Sequence, residues 1–528
     1  MPGGAEVEVD ERRLLKTIRW YDGFVIGLAN PGFLIVGLGF SIGALGVKTA
    51  AILWFVSALI GALQAYVYAE PAAMFPDKPG GLSVYAREGW RKHFSLAGPI
   101  AVFGYWFAWS SVLAVYGGLI GTLLVAQFPD TFSATWTWDT PVLGWVVTVP
   151  RLIGALTIFS CWVFNVRGMR PAVWFSYVTG ACMAIPVIVL AVGPFLTGDV
   201  NNHNTLNGAN AVTLTDTLTG FYGAGTSNFN QFALLMVWMY IIGWSTYGPE
   251  APATFAPEFV DTKNDTRKAI ASTGALNVFL AALLPIAVAG TVGYAVILGD
   301  LTGVAYLVQA WNDIVGDTLG KLMVVGFCAG LLLSMNTATM DGSRALYALA
   351  KEGMTIKQLA HLNSHHVPNR AMTLDLLLNL FMLFAFPTIF FIIASGNLGY
   401  MLSHVLALTG VLWLRRDRPD WPRPIKLGAI WMVMAGLFAF LNTVFIVFGV
   451  RYLEWTGYLW DFNYTDSTYY FNEAIFVGVL ALAVGVAGYV IAQHQHNKRF
   501  KWKDPSDEGP SPEVYELMGT SAPTTAGG

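Results

Sequence analysis

The chain has 528 residues, of which 55% are hydrophobic and only 12% are charged. Soluble domains carry about 25% charged residues, so this composition excludes an ordinary soluble domain and favours a protein whose surface faces lipid. The formal net charge of −3 gives no indication of nucleic-acid binding.

Twelve apolar runs approach or exceed the length of about 20 residues that a helix needs to cross a bilayer. They lack the alternation of apolar and polar residues that a transmembrane barrel requires. The sequence therefore predicts an all-α integral membrane protein with about twelve spans in the lipid bilayer. The cores of the spans, first to twelfth, are 22–46, 50–74, 99–127, 143–165, 171–195, 232–256, 272–298, 321–349, 372–392, 394–414, 427–450 and 473–494. A short polar turn, Ser395-Gly396-Asn397, is expected to separate the ninth span from the tenth.

The lysines and arginines indicate the side of the membrane on which each loop lies. If the N-terminus is inside and successive spans alternate, all but four of the 30 lysines and arginines fall on the inner side. The four exceptions are Lys48, Arg151, Lys321 and Arg451. This bias follows the positive-inside rule and predicts a multi-pass protein of the cell (plasma) membrane with both termini cytoplasmic.

The spans divide the chain into six expected regions, none of which is a soluble catalytic domain, because the polar stretches are too short and too poor in apolar residues to form a core. The tail at the C-terminal end is polar and rich in Pro and Gly, and is expected to be disordered. The regions are an N-terminal cytoplasmic tail at 1–19, five spans at 20–198, an extracellular loop at 199–231, five spans at 232–415, two spans at 416–494 and the C-terminal tail at 495–528.

Two spans carry helix-breaking residues in their cores. The first contains Ala29-Asn30-Pro31-Gly32-Phe33 and the sixth contains Trp244-Ser245-Thr246-Tyr247-Gly248-Pro249-Glu250. Unpaired backbone groups cost several kcal/mol in lipid, so such breaks persist where they line a cavity or are buried in protein. The alternative is a pair of proline kinks, but the breaks occupy the first helix of each possible five-helix half, which favours an inverted-repeat transporter with its binding site at the membrane midplane. Helix N-termini suit a carboxylate and free carbonyls suit an ammonium, so the pattern fits an amino acid.

Six short motifs follow one another along the chain. They are Ala69-Glu70-Pro71 with Pro79-Gly80-Gly81, Asn165 with Arg167 and Gly168, Trp244-Ser245 with Gly248 and Glu250, Glu258 with Arg267-Lys268-Ala269-Ile270, Ser343-Arg344-Ala345-Leu346 with Lys351-Glu352-Gly353, and Leu414-Arg415-Arg416 with Pro419. In this order and spacing they resemble the motifs of the amino acid–polyamine–organocation superfamily, over roughly residues 15 to 430.

The resemblance implies a LeuT-type 5+5 inverted repeat plus two extra helices. It implies a secondary active transporter, or permease, that carries amino acids or related small amines by alternating access, with no enzymatic activity and no cofactor. Trp244 is then the aromatic lid over the substrate, as in the arginine/agmatine exchangers of this superfamily, and Glu250 is a gating or proton-linked carboxylate. The candidate substrate-binding residues are Ala29, Asn30, Gly32, Phe33, Trp109, Trp244, Ser245, Tyr247 and Gly248.

The first break departs from the superfamily, which usually has Gly-x-Gly where this chain has Asn30-Pro31-Gly32. Asparagine adds a donor and an acceptor, and proline removes a backbone N–H. This departure favours a substrate other than an ordinary α-amino acid, so a polyamine, another amine or an organic cation stays open.

The coupling ion is expected to be a proton rather than sodium, in a symporter or an exchanger. An ionised group at the membrane centre costs about 2.5–3.5 kcal/mol on insertion scales, so Glu250 is a candidate for proton coupling, with a structural carboxylate as the alternative. Ser334 and Thr337 of the eighth span form a possible Na⁺ site, because oxygen ligands suit a hard cation. Serine and threonine also serve as packing residues between membrane helices.

Other polar and aromatic residues have simpler expected roles. Tyr105, Trp106 and Trp109 of the third span are candidates to line the pocket, with core or lipid packing as the alternative. Asp375 is expected to open the ninth helix, where an acid suits the helix dipole. His404 in the tenth span is expected to be a hydrogen-bonded core residue.

Two other classes of protein fit the sequence less well. A channel would show a selectivity filter or a ring of polar pore residues, and none is recognisable. A membrane enzyme would carry a motif such as His-Glu-x-x-His or Gly-x-Ser-x-Gly, and both are missing from the sequence. Cys161, Cys182 and Cys328 lie in apolar runs without Cys-Cys metal spacing, so no metal site is expected.

Overall fold

The computed structural model describes residues 16, 18–27, 34–78, 80–141, 144–202, 227–300, 303–351, 353–453, 455, 467–495, 501–504 and 509–520. Most of these residues are helical, and the described strands form one short antiparallel pair, Thr137–Asp139 and Val146–Thr148. Within the described ranges, nine helices are long and apolar enough to cross a membrane. The fold is therefore that of an all-α integral membrane protein, as predicted, while the count of twelve crossings stays a prediction.

Helices overlap all twelve predicted runs. In chain order their bounds are Trp20–Gly27 and Leu38–Leu45 for the first span, Val47–Val67 with Ala69–Met74 for the second, Ala97–Gln127, Val149–Val166, Met169–Thr197, Asn228–Thr246 with Ala251–Thr254 for the sixth, Thr262–Val292, Asp317–Lys351, Asn369–Ala385, Ile389–Asp417, Ala429–Arg451 and Ser467–Gln495. Shorter helices lie at Leu82–Trp90, Tyr294–Gly299, Tyr306–Val315 and Pro512–Leu517, and 3₁₀ turns at Asp199–Asn201, Ala256–Glu258 and Lys357–Leu359.

The predicted turn between the ninth and tenth spans is wrong in position. The ninth helix ends at Ala385 and the tenth begins at Ile389, where the Thr388 hydroxyl accepts a hydrogen bond from the Phe391 amide at 3.2 Å. Pro387 disfavours helix at the residue before it, which explains a break at this point. Ser395, Gly396 and Asn397 lie inside the tenth helix, fully buried, so their polarity reflects contacts within the protein rather than a turn.

The third and tenth spans form the centre of the molecule. Both are buried against other helices over most of their length, and they pack closely against each other. They meet at Gly104 and Gly399, where a Cβ atom built on Gly104 would lie 2.5 Å from the Gly399 carbonyl oxygen. The two backbones therefore approach as closely as only glycine permits, which fixes the positions of the side chains that these helices carry.

The fourth, eleventh and twelfth spans form part of the outer surface. Most of each of these helices is unburied, and apolar side chains such as Leu156, Phe440 and Phe476 are 64% exposed or more. Large exposed apolar surfaces are unfavourable in water but neutral in hydrocarbon. These faces are the expected lipid-contacting surface.

Part of the C-terminal tail packs on the loop between the second and third spans. The Ser95 amide donates to the Trp502 carbonyl at 2.9 Å, and the Asp504 amide donates to the Arg91 carbonyl at 2.7 Å. The Asp504 carboxylate also pairs with the Arg91 guanidinium at 2.9 Å. Residues 501–504, within the tail expected to be disordered, therefore hold a defined position on this loop.

Candidate functional site

The sixth span is interrupted in its core, at the place where the sequence predicts a break. Its first helix runs to Thr246, Tyr247 adopts an extended conformation with φ −84° and ψ 124°, and a four-residue helix follows from Ala251. Trp244 and Ser245 form the last helical turn before the break, while Tyr247 and Gly248 lie within it. All of these residues are buried, so the unwound backbone lies inside the protein rather than against lipid.

Two carbonyl groups released by the break are capped by side chains from other spans. The Asn277 amide of the seventh span donates to the Thr246 carbonyl at 2.7 Å. The Tyr400 hydroxyl of the tenth span lies 2.8 Å from the Tyr247 carbonyl. Buried backbone acceptors need such partners, so these two contacts hold the break open. They also mean that these two carbonyls already have protein donors.

Glu250 is the acidic group of the break and is 0% exposed. Its Oε1 atom lies 2.6 Å from the Tyr400 hydroxyl and 3.9 Å from His404 Nε2. Its Oε2 atom has no hydrogen-bond partner among the described residues. The tenth span therefore holds Oε1 of the carboxyl group, while Oε2 can still accept a hydrogen bond.

Aromatic side chains connect Glu250 to the third span. The Tyr105 ring lies 5.9 Å from the Tyr400 ring and 5.9 Å from the Trp109 ring, measured between centroids. The Tyr68 hydroxyl of the second span lies 2.9 Å from His404 Nδ1, which places His404 within the same cluster. The candidate Trp109 is therefore part of a buried aromatic wall that ends at the break.

Polar side chains from the second and eleventh spans support the other side of the break. The Tyr247 hydroxyl donates to Asn442 Oδ1 at 2.7 Å, and Asn442 Nδ2 donates to Gln64 Oε1 at 2.9 Å. Ser57 and Thr246 share a hydrogen bond between their hydroxyls at 2.6 Å. The Tyr247 amide also donates to the Gly243 carbonyl at 3.0 Å, so these side-chain contacts and the last helical hydrogen bond together fix Tyr247 in position.

Four candidates of the first span, Ala29, Asn30, Gly32 and Phe33, lie outside the described residues. The flanking segments pack close to the sixth-span break, since a Cβ atom built on Gly37 would lie 3.5 Å from Ser245 Oγ. The other half of the expected site therefore stays a prediction.

The possible Na⁺ ligands Ser334 and Thr337 are both buried on the eighth span. Ser334 Oγ donates to the Gly330 carbonyl within its own helix at 3.4 Å. Between them lies Asn336, whose Oδ1 accepts from Asn165 Nδ2 of the fourth span at 2.7 Å. The carbonyls of the first span that such a site would need belong to residues outside the described ranges, so the Na⁺ site stays a prediction.

Two ion networks join helix ends on the side predicted to be cytoplasmic. Glu70 of the second span pairs with Arg415 and with Arg423, the latter at 3.2 Å. It also accepts from the Leu427 amide at 2.9 Å. A buried carboxylate needs such partners to offset its loss of solvation. Because the partners of Glu70 all lie at or after the end of the tenth span, they tie the second span to the segment between the tenth and eleventh spans.

The second network is centred on Glu88 of the helix Leu82–Trp90. Its carboxylate lies 3.0 Å from Lys78 Nζ, 3.3 Å from Arg91 Nη1 and 3.0 Å from Arg418 Nη2. Burial alone would raise the pKa of Glu88, but the cations Lys78, Arg87, Arg91 and Arg418 outweigh it and lower the pKa to about 2. Glu88 is therefore an anion that joins the segment between the second and third spans to the segment after the tenth span.

Sequence reasoning missed most of the residues that surround the break. Tyr400, Asn277 and Asn442 come from three spans that are far apart in the sequence, so no local spacing connects them. A signal was nevertheless available, because an amide side chain in the middle of an apolar span is costly unless it has a partner. Asn277, Asn442 and Gln64 all satisfy that description.

The fold and this site define a class of protein, namely a multi-pass helical membrane protein with a broken helix around a buried polar cluster. Comparison with known proteins identifies the group within that class. The family model described as "Amino acid permease" matches residues 23–492, and the chain belongs to that family. Membership of this family points to an amino acid transporter rather than to an enzyme.

Two curated proteins are similar to parts of the chain. The amino-acid permease RocE of Bacillus subtilis (strain 168) is 23% identical over 346 residues, which cover 65% of this chain and 67% of RocE. Solute carrier family 7 member 12 of Mus musculus is 25% identical over 132 residues, which cover 25% of this chain and 27% of that protein.

Proposed function

We propose that the protein is a secondary active transporter that moves an amino acid or a related small amine across the cytoplasmic membrane by alternating access. The observation that carries the proposal is the buried break of the sixth span, with a carboxyl group, Glu250, that has one oxygen free of described partners. A broken helix at the centre of a bundle offers dipole ends and polar groups to a small charged solute. Membership of the amino acid permease family and the similarity to RocE support this proposal.

The architecture proposed for this mechanism is a LeuT-type 5+5 inverted repeat, with residues 20–198 and 232–415 as the two halves and two further spans at 416–494. Both termini are proposed to be cytoplasmic, in the plasma membrane. The ion networks around Glu70 and Glu88 would then close the inner side in this conformation, since they join the second span and the helix Leu82–Trp90 to the segment between the tenth and eleventh spans.

The proposed substrate site lies between the break of the sixth span and the break that the sequence predicts in the first span. Trp244 is the lid, and Ser245, Tyr247 and Gly248 bind the substrate together with Ala29, Asn30, Gly32 and Phe33. Trp109 belongs to the wall behind the substrate. The capped carbonyls of Thr246 and Tyr247 are less accessible to an ammonium group than Glu250 Oε2 is, so Glu250 is the better acceptor for a substrate cation.

A proton is the proposed coupling ion, in symport or in exchange. The Tyr400 hydroxyl carries a single proton, yet it lies 2.8 Å from the Tyr247 carbonyl and 2.6 Å from Glu250 Oε1. The hydroxyl donates towards Glu250 Oε1, and the Tyr247 carbonyl competes for the same hydrogen. A proton on Glu250 that donates to Tyr400 would satisfy all three groups. This arrangement supports a carboxyl group that gains and loses a proton at the break.

Uptake by proteoliposomes tests the proposed function. A panel of labelled amino acids and amines is offered under an imposed pH gradient, an imposed Na⁺ gradient, or neither. The proposal expects saturable uptake of at least one member, accelerated by an inward proton gradient or by internal substrate. Acceleration by Na⁺ alone would favour the alternative site at Ser334 and Thr337, and uptake of amines alone would favour an amine or organic-cation permease. Saturable uptake of no member would contradict the proposal.

A further inference from the structure

A second buried carboxyl group lies away from the proposed substrate site, between the third, eighth and ninth spans. Asp375 is 1% exposed and occupies the second turn of the ninth helix, which begins at Asn369. The expectation that Asp375 opens this helix is therefore wrong, because Pro368 sets the helix start six residues earlier. The effect of the helix dipole falls off within the first turn, so the dipole does not stabilise a negative charge on Asp375.

The described hydrogen bonds to the Asp375 carboxyl group all end on one of its two oxygens, Oδ1. Trp106 Nε1 donates to Asp375 Oδ1 at 3.0 Å, and Ser110 Oγ donates to the same atom at 2.9 Å. Asn379 Nδ2 donates to Ser110 Oγ at 3.0 Å, and Asn379 Oδ1 accepts from the Ala114 amide at 3.0 Å. Asn379 Nδ2 also donates to the main-chain carbonyl of Asp375 at 2.8 Å, so every hydrogen in this series is assigned. Asp375 Oδ2 has no hydrogen-bond partner among the described residues.

No described cation compensates a charge on Asp375. The third span presents Trp106 and Ser110 to the carboxyl group, and the eighth span presents Gly342, where a built Cβ atom would lie 3.7 Å from Oδ2. Trp162 of the fourth span donates to Thr373 rather than to Asp375. Arg370, at the start of the ninth helix, donates to a carbonyl of the turn Lys357–Leu359. The charged residues near Gly342, Asp341 and Arg344, interact with each other and with Glu258, so no described cation pairs with Asp375.

An ionised carboxylate in such surroundings is highly unfavourable. Buried charges without a partner lose several kcal/mol or more of solvation, and in practice such a group becomes neutral instead. Hydrogen bonds to a carboxylate favour its charged form, but both donors to Asp375 are on Oδ1 and leave Oδ2 buried without a donor among the described residues. A hard cation such as Mg²⁺ or Ca²⁺ would need six or more oxygen ligands, whereas Ser110 Oγ and Asn379 Oδ1 are already engaged with protein donors. The ligand that fits is a single proton on Oδ2.

We propose that Asp375 binds a proton between the third, eighth and ninth spans, outside the substrate site, and that the third span couples this proton to the substrate site. The coupling to the substrate site rests on the proposed transport function, whereas the binding of a proton by Asp375 does not. Trp106 and Ser110 form one face of the third helix, and Tyr105 and Trp109 occupy the neighbouring face. One helix therefore contacts Asp375 on one side and the aromatic wall that ends at Glu250 on the other.

Infrared spectroscopy of the full-length protein in lipid tests the proton directly. The spectrum of wild type minus Asp375→Asn should contain the carbonyl stretch of a protonated carboxylic acid at neutral pH. Asparagine is neutral, similar in size and retains the oxygen that accepts from Trp106 and Ser110, so the variant is expected to fold. The matched control is Asp130→Asn, an exposed loop residue, whose difference spectrum should lack the band. A difference spectrum for Asp375→Asn without that band would overturn the proposal.

The variant Trp106→Phe gives a second infrared test of the proton, in which Asp375 itself is unchanged. Because Oδ1 loses one of its two donors, the carbonyl stretch of Asp375 should shift to higher frequency. A band that does not move would count against a proton held on Oδ2, even if Asp375→Asn failed to fold.

The coupling half is tested by transport. With a substrate accepted by the wild type, Asp375→Asn should change the shape of the pH profile of uptake and remove one pH-dependent step. A purely structural role would lower uptake by the same factor at every pH, and that result would overturn the coupling. If the wild type transports no member of the panel, the proposed function fails, while the infrared band still decides whether Asp375 binds a proton.

Discussion

The Tyr400 hydroxyl lies 2.6 Å from Glu250 Oε1, so the tenth span directly contacts the acidic group of the sixth-span break. The same hydroxyl caps the Tyr247 carbonyl at 2.8 Å. Tyr400→Phe removes both contacts without changing the ring. Losing a partner of a buried polar group costs about 1–3 kcal/mol, so we expect uptake to fall by about tenfold or more and its response to a proton gradient to weaken. Uptake in proteoliposomes at several imposed pH gradients measures both effects.

Tyr66→Phe is the matched control for this change. The Tyr66 hydroxyl accepts from Arg267 near the surface, at 3.0 Å, and has no contact with the break. We expect it to transport like the wild type. Equal uptake and equal proton response in Tyr400→Phe and Tyr66→Phe would show that the Tyr400 contact has no role in transport.

Trp244→Ala tests the assigned lid. Trp244 is fully buried in the last helical turn before the break, and the lid assignment predicts that its removal abolishes uptake while the protein still folds. The cavity left by a tryptophan costs about 3–5 kcal/mol, so thermal unfolding must be measured beside uptake. Trp138→Ala, on the exposed strand Thr137–Asp139, should keep both uptake and stability. A folded Trp244→Ala protein that transports normally would refute the lid.

The contact between the third and tenth spans predicts the effect of a single methyl group. In Gly104→Ala the new Cβ atom would lie 2.5 Å from the Gly399 carbonyl oxygen, so the two central helices must move apart. We expect a loss of about 1–3 kcal/mol in the free energy of unfolding, read as a lower thermal midpoint in detergent. Gly436→Ala is the control, because its Cβ atom would meet only Leu412 at 3.9 Å. Similar midpoints for the two variants would contradict the described helix contact.

The low pKa of Glu88 predicts a dependence of stability on pH. Its pKa is about 2 in the folded protein against an ordinary value of 4.5, so the stabilisation is complete above about pH 4.5 and is lost as the pH falls towards 2. Glu88→Gln removes the carboxylate that Lys78, Arg91 and Arg418 share, and should cost about 3 kcal/mol at neutral pH. Thermal unfolding of the wild type and of Glu88→Gln, from pH 7 down to about pH 2, measures the difference in stability between them. That difference should shrink below about pH 4.5. A difference that does not change with pH would show that the charge of Glu88 is not what stabilises this network.

The spans were predictable because a membrane helix needs about 20 apolar residues, and that requirement is local in the sequence. The break of the sixth span was predictable for the same kind of reason, since Pro249 and Gly248 act on their own backbone. The turn at Ser395-Gly396-Asn397 was misplaced because buried polar residues and turn residues have the same composition. The sequence itself does not show that Asn397 donates to the Tyr240 carbonyl of another span.

The partners of the site residues could not be predicted, because they depend on which faces of distant helices meet. Tyr400 and Glu250 are 150 residues apart in the chain, and Trp106 and Asp375 are 269 apart. The sequence placed Trp109 and Glu250 among the candidates but gave no distance between their helices. Asp375 was interpreted as a helix-end acid, and only the packing of the third span against the ninth shows a buried carboxyl group with no described cation as a partner.

The central claim is that the buried break in the sixth span forms the substrate site of a carrier. Counterflow in proteoliposomes tests it most directly: vesicles loaded with an unlabelled substrate are diluted into the same substrate in labelled form. A carrier working by alternating access should accumulate label transiently above equilibrium, and Trp244→Ala should lose this accumulation while Trp138→Ala retains it. Label that only equilibrates, at a rate independent of internal substrate, would contradict the claim and indicate a channel.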